Sequence, residues 1–205
     1  VYCSILHGSP AEMAAAGVTD RPSRGSAFIA GGGTAGHVVP GIAIAQSLVD
    51  MGWPASKIHF VGSVRGVEAE MVPRAGFGLT TLAGRGINER RLNLANLRNA
   101  FDIIRGVLRG VALVARYKPA VVVSLGGYAA LPASIGAVVR RVPVVIAEQN
   151  AVPSSTNRLL SRFARAAAVP FEGVDLRRAT VTGNPVRPEV LTAAMNPGSR
   201  PWPAD

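Results

Sequence analysis

Cysteine, aromatic residues and acids are all scarce in this 205-residue sequence, and each shortage removes a class of protein. A single cysteine, Cys3, leaves no partner for a disulfide and no thiolate set for a metal, which suits a reducing compartment. Aromatic side chains make up 5%, and zinc-finger spacing, an RNP-like aromatic strand and a basic heptad array are all missing, so nucleic acid is not the expected partner. No apolar run approaches the ~18 residues that cross a bilayer, and residues 1–25 lack the cationic start and apolar core of a signal peptide. The expectation is a cytoplasmic chain that touches a membrane only from its surface. His7 and His59 have no partners at ligand spacing, so no metal is expected.

What is abundant is arginine, apolar side chains and glycine-rich turns. The 22 Lys+Arg outnumber the 12 Asp+Glu for a formal charge of +10, and most of the cations are arginine, which favours phosphate, pyrophosphate or anionic lipid. A hydrophobic content of 48% can fill one sizeable α/β domain. Residues 1–25 mix Gly, Pro and Ser without a period and read as a flexible extension. Over 26–188 short apolar runs alternate with helical stretches, the pattern of a Rossmann-like parallel sheet with flanking helices. Residues 189–205 read as a Pro-rich, aperiodic tail.

Within 26–188 the pattern predicts strands near Phe28–Ala30, Ile58–Val61, Gly78–Leu82, Ala120–Ser124, Pro143–Ala147, Ala166–Val169 and Thr180–Thr182. It predicts helices over Val38–Met51, Val67–Arg74, Leu92–Tyr117, Pro132–Arg140 and Ser154–Phe163. In the longest helix Leu94, Leu97, Phe101, Ile104, Leu108 and Val111 form one apolar stripe, and Arg91, Arg98, Arg105, Arg109 and Arg116 form another. Two readings stay open for it. One is an amphipathic helix packed on the sheet with a solvated arginine face; the other is a surface for anionic lipid, because Ile87, Leu92, Ile103 and Val107 add apolar area beside Arg85, Arg90, Arg91 and Arg98.

The chemistry gathers at the carboxyl ends of predicted strands. Gly31-Gly32-Gly33-Thr34-Ala35-Gly36-His37 joins the first strand to a helix, and such a turn lets backbone amides and a helix N-terminus meet an anion. Gly31, Gly33 and Gly36 fit the dinucleotide pattern formally, but the acid expected at the end of the second strand is replaced by Gly62-Ser63, which argues against that cofactor. A second glycine turn, Gly126-Gly127-Tyr128, follows the fourth strand, and Glu148-Gln149-Asn150 ends the fifth. An imidazole at a helix mouth can accept a proton from a substrate hydroxyl near neutral pH, which makes His37 one candidate base. Glu148 is the other, either as a base or as the partner that orients one, with the capping of its own loop as the plainer alternative.

These motifs, with Gly183-Asn184-Pro185-Val186-Arg187 after them, occur in the order and spacing of the MurG family, which the chain resembles over about residues 27–188. That family adds N-acetylglucosamine from UDP-GlcNAc to lipid I and so makes lipid II for peptidoglycan. The resemblance implies the N-terminal, acceptor-binding half of a GT-B glycosyltransferase. It implies that Thr34, Ala35, Gly36, Gly126, Gly127, Tyr128, Asn150, Asn184 and Arg187 meet substrate, with His37 as the proposed base for an inverting attack. It also implies that the Arg85–Arg109 region lies on the anionic inner membrane face and that no cofactor is needed. Many members have glycine where this chain has Ala35, a change that suits the turn only if position 35 does not need a positive φ. A donor-binding domain is missing from these 205 residues, so the expectation is a chain inactive or nearly so alone: a truncated gene product, one half of a split enzyme completed by a separate C-terminal-domain chain, or an excised domain. The alternative is a non-catalytic module that binds lipid-linked pyrophosphate or the membrane.

Overall fold

The structure, a computed structural model, describes residues 24–64, 66–82 and 94–195. Most of the 1–25 extension, Arg85, Ile87, Arg90, Arg91, Leu92 and the end of the tail lie outside the described residues, as does the side chain of Arg98.

Seven parallel strands form one sheet in the order β3-β2-β1-β4-β5-β6-β7. They are β1 (Ala27–Ala30), β2 (Ile58–Ser63), β3 (Gly78–Leu82), β4 (Val121–Ser124), β5 (Val144–Ala147), β6 (Ala166–Val169) and β7 (Ala179–Val181). Between them run α1 (Ala35–Asp50), α2 (Glu68–Arg74), α3 (Leu94–Tyr117), α4 (Gly127–Val139) and α5 (Ser155–Leu160), and α6 (Pro188–Met195) follows β7. Alternation along each strand sends side chains to two cores. Phe28 and Ala30 face Val114 of α3 and Ala130, Ala133 and Ala137 of α4, whereas Ile29 faces Val38, Ile42 and Ala45 of α1 and Val72 of α2. β1 pairs with β2 on one side and β4 on the other, so the strand order reverses between β1 and β4. A crevice opens at the carboxyl ends of the strands at such a switch point, and both glycine loops leave the sheet there.

The expected Rossmann-like parallel sheet is present, with three local differences. First, among the described side chains of α3, Ile104 and Leu108 of the predicted stripe are 57% and 63% exposed, whereas Gly106, Gly110 and Val114 are buried. The reason is close helix approach. A Cβ on Gly110 would collide with the Pro132 carbonyl, and one on Gly136 would stand 2.7 Å from Gly110 O, so bare backbone forms the contact where a pattern search looks for large side chains. Second, α4 begins at Gly127 rather than Pro132, and α1 begins at Ala35 rather than Val38. Pro40 and Pro132 sit inside these helices, so the carbonyls four residues before them, Gly36 and Tyr128, lose an α-helical donor beside the glycine loops. Third, the stretch read as an aperiodic tail begins with the helix Pro188–Met195.

Candidate functional site

The first loop leaves β1 with Gly32 and Gly33 at φ of 158° and 89°, and α1 starts directly after Thr34. Thr34 stands at the N-cap yet makes no side-chain cap bond. Its hydroxyl instead meets His37 Nδ1 at 3.1 Å, while its carbonyl accepts from the amides of His37 (3.1 Å) and Val38 (3.2 Å). Ala35 is not among the residues with positive φ, so the alanine fits the turn. Thr34, Ala35 and Gly36 are exposed and His37 is half-buried, which presents the first turn of α1 and its imidazole to the crevice.

The second loop lies against the first. Gly126 and Gly127 hold φ of 89° and 71°, a conformation that favours glycine at both positions. A Cβ on Gly127 would come 3.3 Å from His37 Cε1, and one on Gly33 would come 3.6 Å from the Tyr128 ring. The imidazole therefore sits between the two loops, with Tyr128 packed over Gly33. On its other side the second loop touches the β5 turn: a Cβ on Gly126 would stand 2.7 Å from Ser154 Oγ and 3.0 Å from Asn157 Nδ2.

Glu148 organises that turn. Its Oε1 accepts from Gln149 N (3.1 Å), Asn150 N (3.1 Å) and Asn150 Nδ2 (2.9 Å), and its Oε2 from Ser154 N (3.0 Å) and Asn157 Nδ2 (3.0 Å). Burial pushes the carboxyl up, but bonds from the Asn157 side chain, the Ser154 backbone and Asn150 outweigh it and hold it below the usual carboxylate range. Asn157 is fully buried, and its Oδ1 accepts from Ser124 Oγ at 2.9 Å, which ties the end of β4 to the same turn. Gln149 donates Nε2 to Ala147 O at 2.7 Å.

The structure thus brings His37, Thr34, Ala35, Gly36, Gly126, Gly127, Tyr128, Glu148 and Asn150 to one end of the sheet. Asn184 joins them through its Nδ2, 3.2 Å from Gln149 O. Arg187 lines a cavity of about 340 Å³ with Val39, Ile42 and Gln46 of α1 and Met71 and Arg74 of α2. A larger cavity of about 590 Å³, lined by Val144, Phe163, Arg141, Arg165 and Arg178, sits at the amino ends of β5 and β6, away from the glycine loops. His59 is buried, bonded through Nε2 to Thr80 Oγ1 at 2.9 Å, and burial lowers its pKa to about 4. Three site residues escaped the sequence reading. Asn157 and Ser154 lay in a stretch read only as a helix, and Glu68 is five residues past the place searched for an acid.

The glycosyltransferase family 28 N-terminal domain matches residues 27–169. The UDP-N-acetylglucosamine--N-acetylmuramyl-(pentapeptide) pyrophosphoryl-undecaprenol N-acetylglucosamine transferase of Pelobacter propionicus is 43% identical over 181 residues, covering 84% of this chain and 47% of that protein. The transferase of the same name from Caldanaerobacter subterraneus is 40% identical over 176 residues, covering 83% and 48%. The chain spans about half the length of the curated relatives it matches. Among solved structures, Acinetobacter baumannii MurG superposes with a TM-score of 0.65 at 25% identity, covering 81% of this chain and 46% of that one. UDP-GlcNAc 2-epimerase from Neisseria meningitidis shares the fold at a TM-score of 0.54 and 14% identity, covering 78% and 46%.

Proposed function

This chain belongs to glycosyltransferase family 28, whose N-terminal domain it carries, and from that membership we propose that it is the acceptor-binding half of an inverting N-acetylglucosaminyltransferase acting on lipid I with UDP-GlcNAc as donor. The observation that carries the proposal is His37 held between two glycine loops at the switch point of the sheet. The open amides of the first turn of α1 and of the second loop suit the acceptor's pyrophosphate. The donor sugar would reach the crevice from a second domain beyond these residues, the part of its relatives that this chain does not span.

His37 is the base in this reading. With Nδ1–H donated to Thr34 Oγ1, Nε2 keeps a free lone pair for the acceptor 4-hydroxyl. The hydroxyl oxygen bonds to the anomeric carbon as the bond from that carbon to the diphosphate breaks. The proton passes to Nε2, and UDP leaves with the electron pair. Glu148 is a positioning residue: two donors on one oxygen and three on the other leave it poorly placed to take a proton, and they fix Asn150 at the crevice edge.

Membrane contact fits α3, where exposed Ile104 and Leu108 stand beside exposed Arg105 and Arg109. No helix among the described residues is long and apolar enough to cross a bilayer, so the contact proposed is with the anionic inner surface. The test is sugar transfer from UDP-GlcNAc to a lipid I analogue, by this chain alone and joined to the donor domain of a relative. Transfer by the joined protein and none by the chain alone is expected. Retained acceptor binding without transfer in either form would leave only the non-catalytic module.

A further inference from the structure

Glu68, the first residue of α2, is 1% exposed, and its carboxylate is spent on backbone and hydroxyl donors. Oε1 accepts from Ser63 N at 2.7 Å and Ser63 Oγ at 2.8 Å, and Oε2 accepts from Gly33 N at 2.8 Å. Three glycines clear the space for it. A Cβ on Gly32 or Gly66 would run into the carboxylate, and one on Gly62 would stand 2.7 Å from Glu68 Cγ. The group lies at the end of β2, where a dinucleotide-binding fold places an acid that faces the ribose. Here the acid comes from the following helix and faces inward.

We propose that Glu68 is a built-in anion: its carboxylate fills the gap between the first glycine loop and the end of β2, takes one backbone amide from each, sets the loop that carries Thr34 and His37, and denies those amides to a phosphate. Converging backbone amides attract any anion, and an incoming phosphate would find the Gly33 and Ser63 amides already bonded and a carboxylate between them. A bound diphosphate is left with the first turn of α1 and the second loop. Gly33 precedes Thr34, whose hydroxyl holds His37 Nδ1, so fixing the Gly33 amide fixes the base through two covalent steps and one hydrogen bond. Glu68 acts through other residues and is a positioning residue. Its effect on turnover rests on the sugar-transfer reading above; its hold on Gly33 does not.

The test starts with the unaltered chain. Gly33 lies outside regular secondary structure, so its amide exchanges quickly with solvent unless the Glu68 bond protects it. A protected Gly33 amide is expected, together with inorganic phosphate that leaves the Gly33 and Ser63 amide resonances unmoved. A rapidly exchanging Gly33, or phosphate shifts at both residues, overturns the proposal. In Glu68→Gln the oxygen still serves Ser63 but the amide nitrogen cannot accept from Gly33. Gly33 exchange should then speed up by about tenfold or more while the β1 and β2 amides keep theirs. Joined to a donor domain, Glu68→Gln should lower kcat by about tenfold or more with acceptor KM held within about twofold, because misplacement of a base costs rate rather than binding. Unchanged exchange and unchanged kcat refute it. If the unaltered joined protein transfers no sugar, the functional reading fails and the exchange and phosphate results still decide the role of Glu68.

Discussion

Replacing Glu148 with glutamine separates a base from a positioning residue. A base in an open crevice can be neutralised at little cost to stability, whereas a carboxylate that gathers five donors cannot. The glutamine amide does least damage with its NH2 at the Oε2 position, where it confronts Ser154 N and Asn157 Nδ2 and forfeits both bonds. Hydrogen bonds to a charged group are worth ~1.5–3 kcal/mol each. Ser154 is half-buried and recovers part of its loss from water, while Asn157 is fully buried and does not. The expected cost is about 3 kcal/mol, a fall in Tm of roughly 6–12 °C for a chain of this size. Urea or thermal unfolding of the chain measures it. The pH dependence follows from the sign of the shift. The folded carboxyl lies below its ordinary value of 4.5, so its contribution is present above that pH and lost as pH falls through the folded value. The gap between the two proteins should stay constant from pH 7 to about 5.5 and close below. A loss under about 1 kcal/mol at pH 7, or a gap that widens in acid, would refute the positioning role.

His37→Ala in the joined protein should lower kcat by about 10²–10⁴-fold with acceptor binding kept, read by steady-state kinetics and acceptor titration. The double change Ile104→Glu and Leu108→Glu should weaken co-sedimentation with anionic vesicles and leave Tm within about 2 °C, because both side chains are exposed. Gly110→Ala drives a methyl into the Pro132 carbonyl and should cost about 1–3 kcal/mol of unfolding free energy, whereas the exposed neighbour Arg109→Ala should cost under about 0.5.

The strands and both loops were legible because their signals are local. A short strand-forming run bounded by turn residues needs no knowledge of the rest of the chain, and β3 and β6 fall on their predicted residues. What escaped depended on distance. The face of α3 is decided by Gly110 meeting Pro132 and Gly136, residues 22 and 26 positions on, and glycine carries no weight in a hydrophobic count. The dinucleotide pattern expects an acid at the end of β2 itself, whereas Glu68 reaches the spot from the next helix and its link to Gly33 spans 35 residues. Asn157 lay on a short helix, with nothing in the sequence to say that it closes on Glu148 and Ser124.

The two buried acids of the crevice share one kind of work. Glu68 and Glu148 are both buried carboxylates without a cationic partner among the described residues, and both accept from main-chain amides of the loops around the crevice. Carboxylates so employed act as internal ligands: they occupy donors that would otherwise need water or substrate, and they hold glycine-rich backbone that has little rigidity of its own. Side chains held in this way have given up their proton-accepting lone pairs. His37 differs: the hydrogen bond of its ring is at Nδ1, to Thr34 Oγ1, and Nε2 is the nitrogen proposed to take the proton. The division of labour predicts that the isosteric variants of the two acids will cost less turnover than His37→Ala. Glu68→Gln and Glu148→Gln should each lower kcat by about tenfold, whereas loss of the imidazole should lower it by about 10²–10⁴-fold. A kcat that survives His37→Ala and falls by the larger factor in Glu148→Gln would transfer the base to the carboxylate.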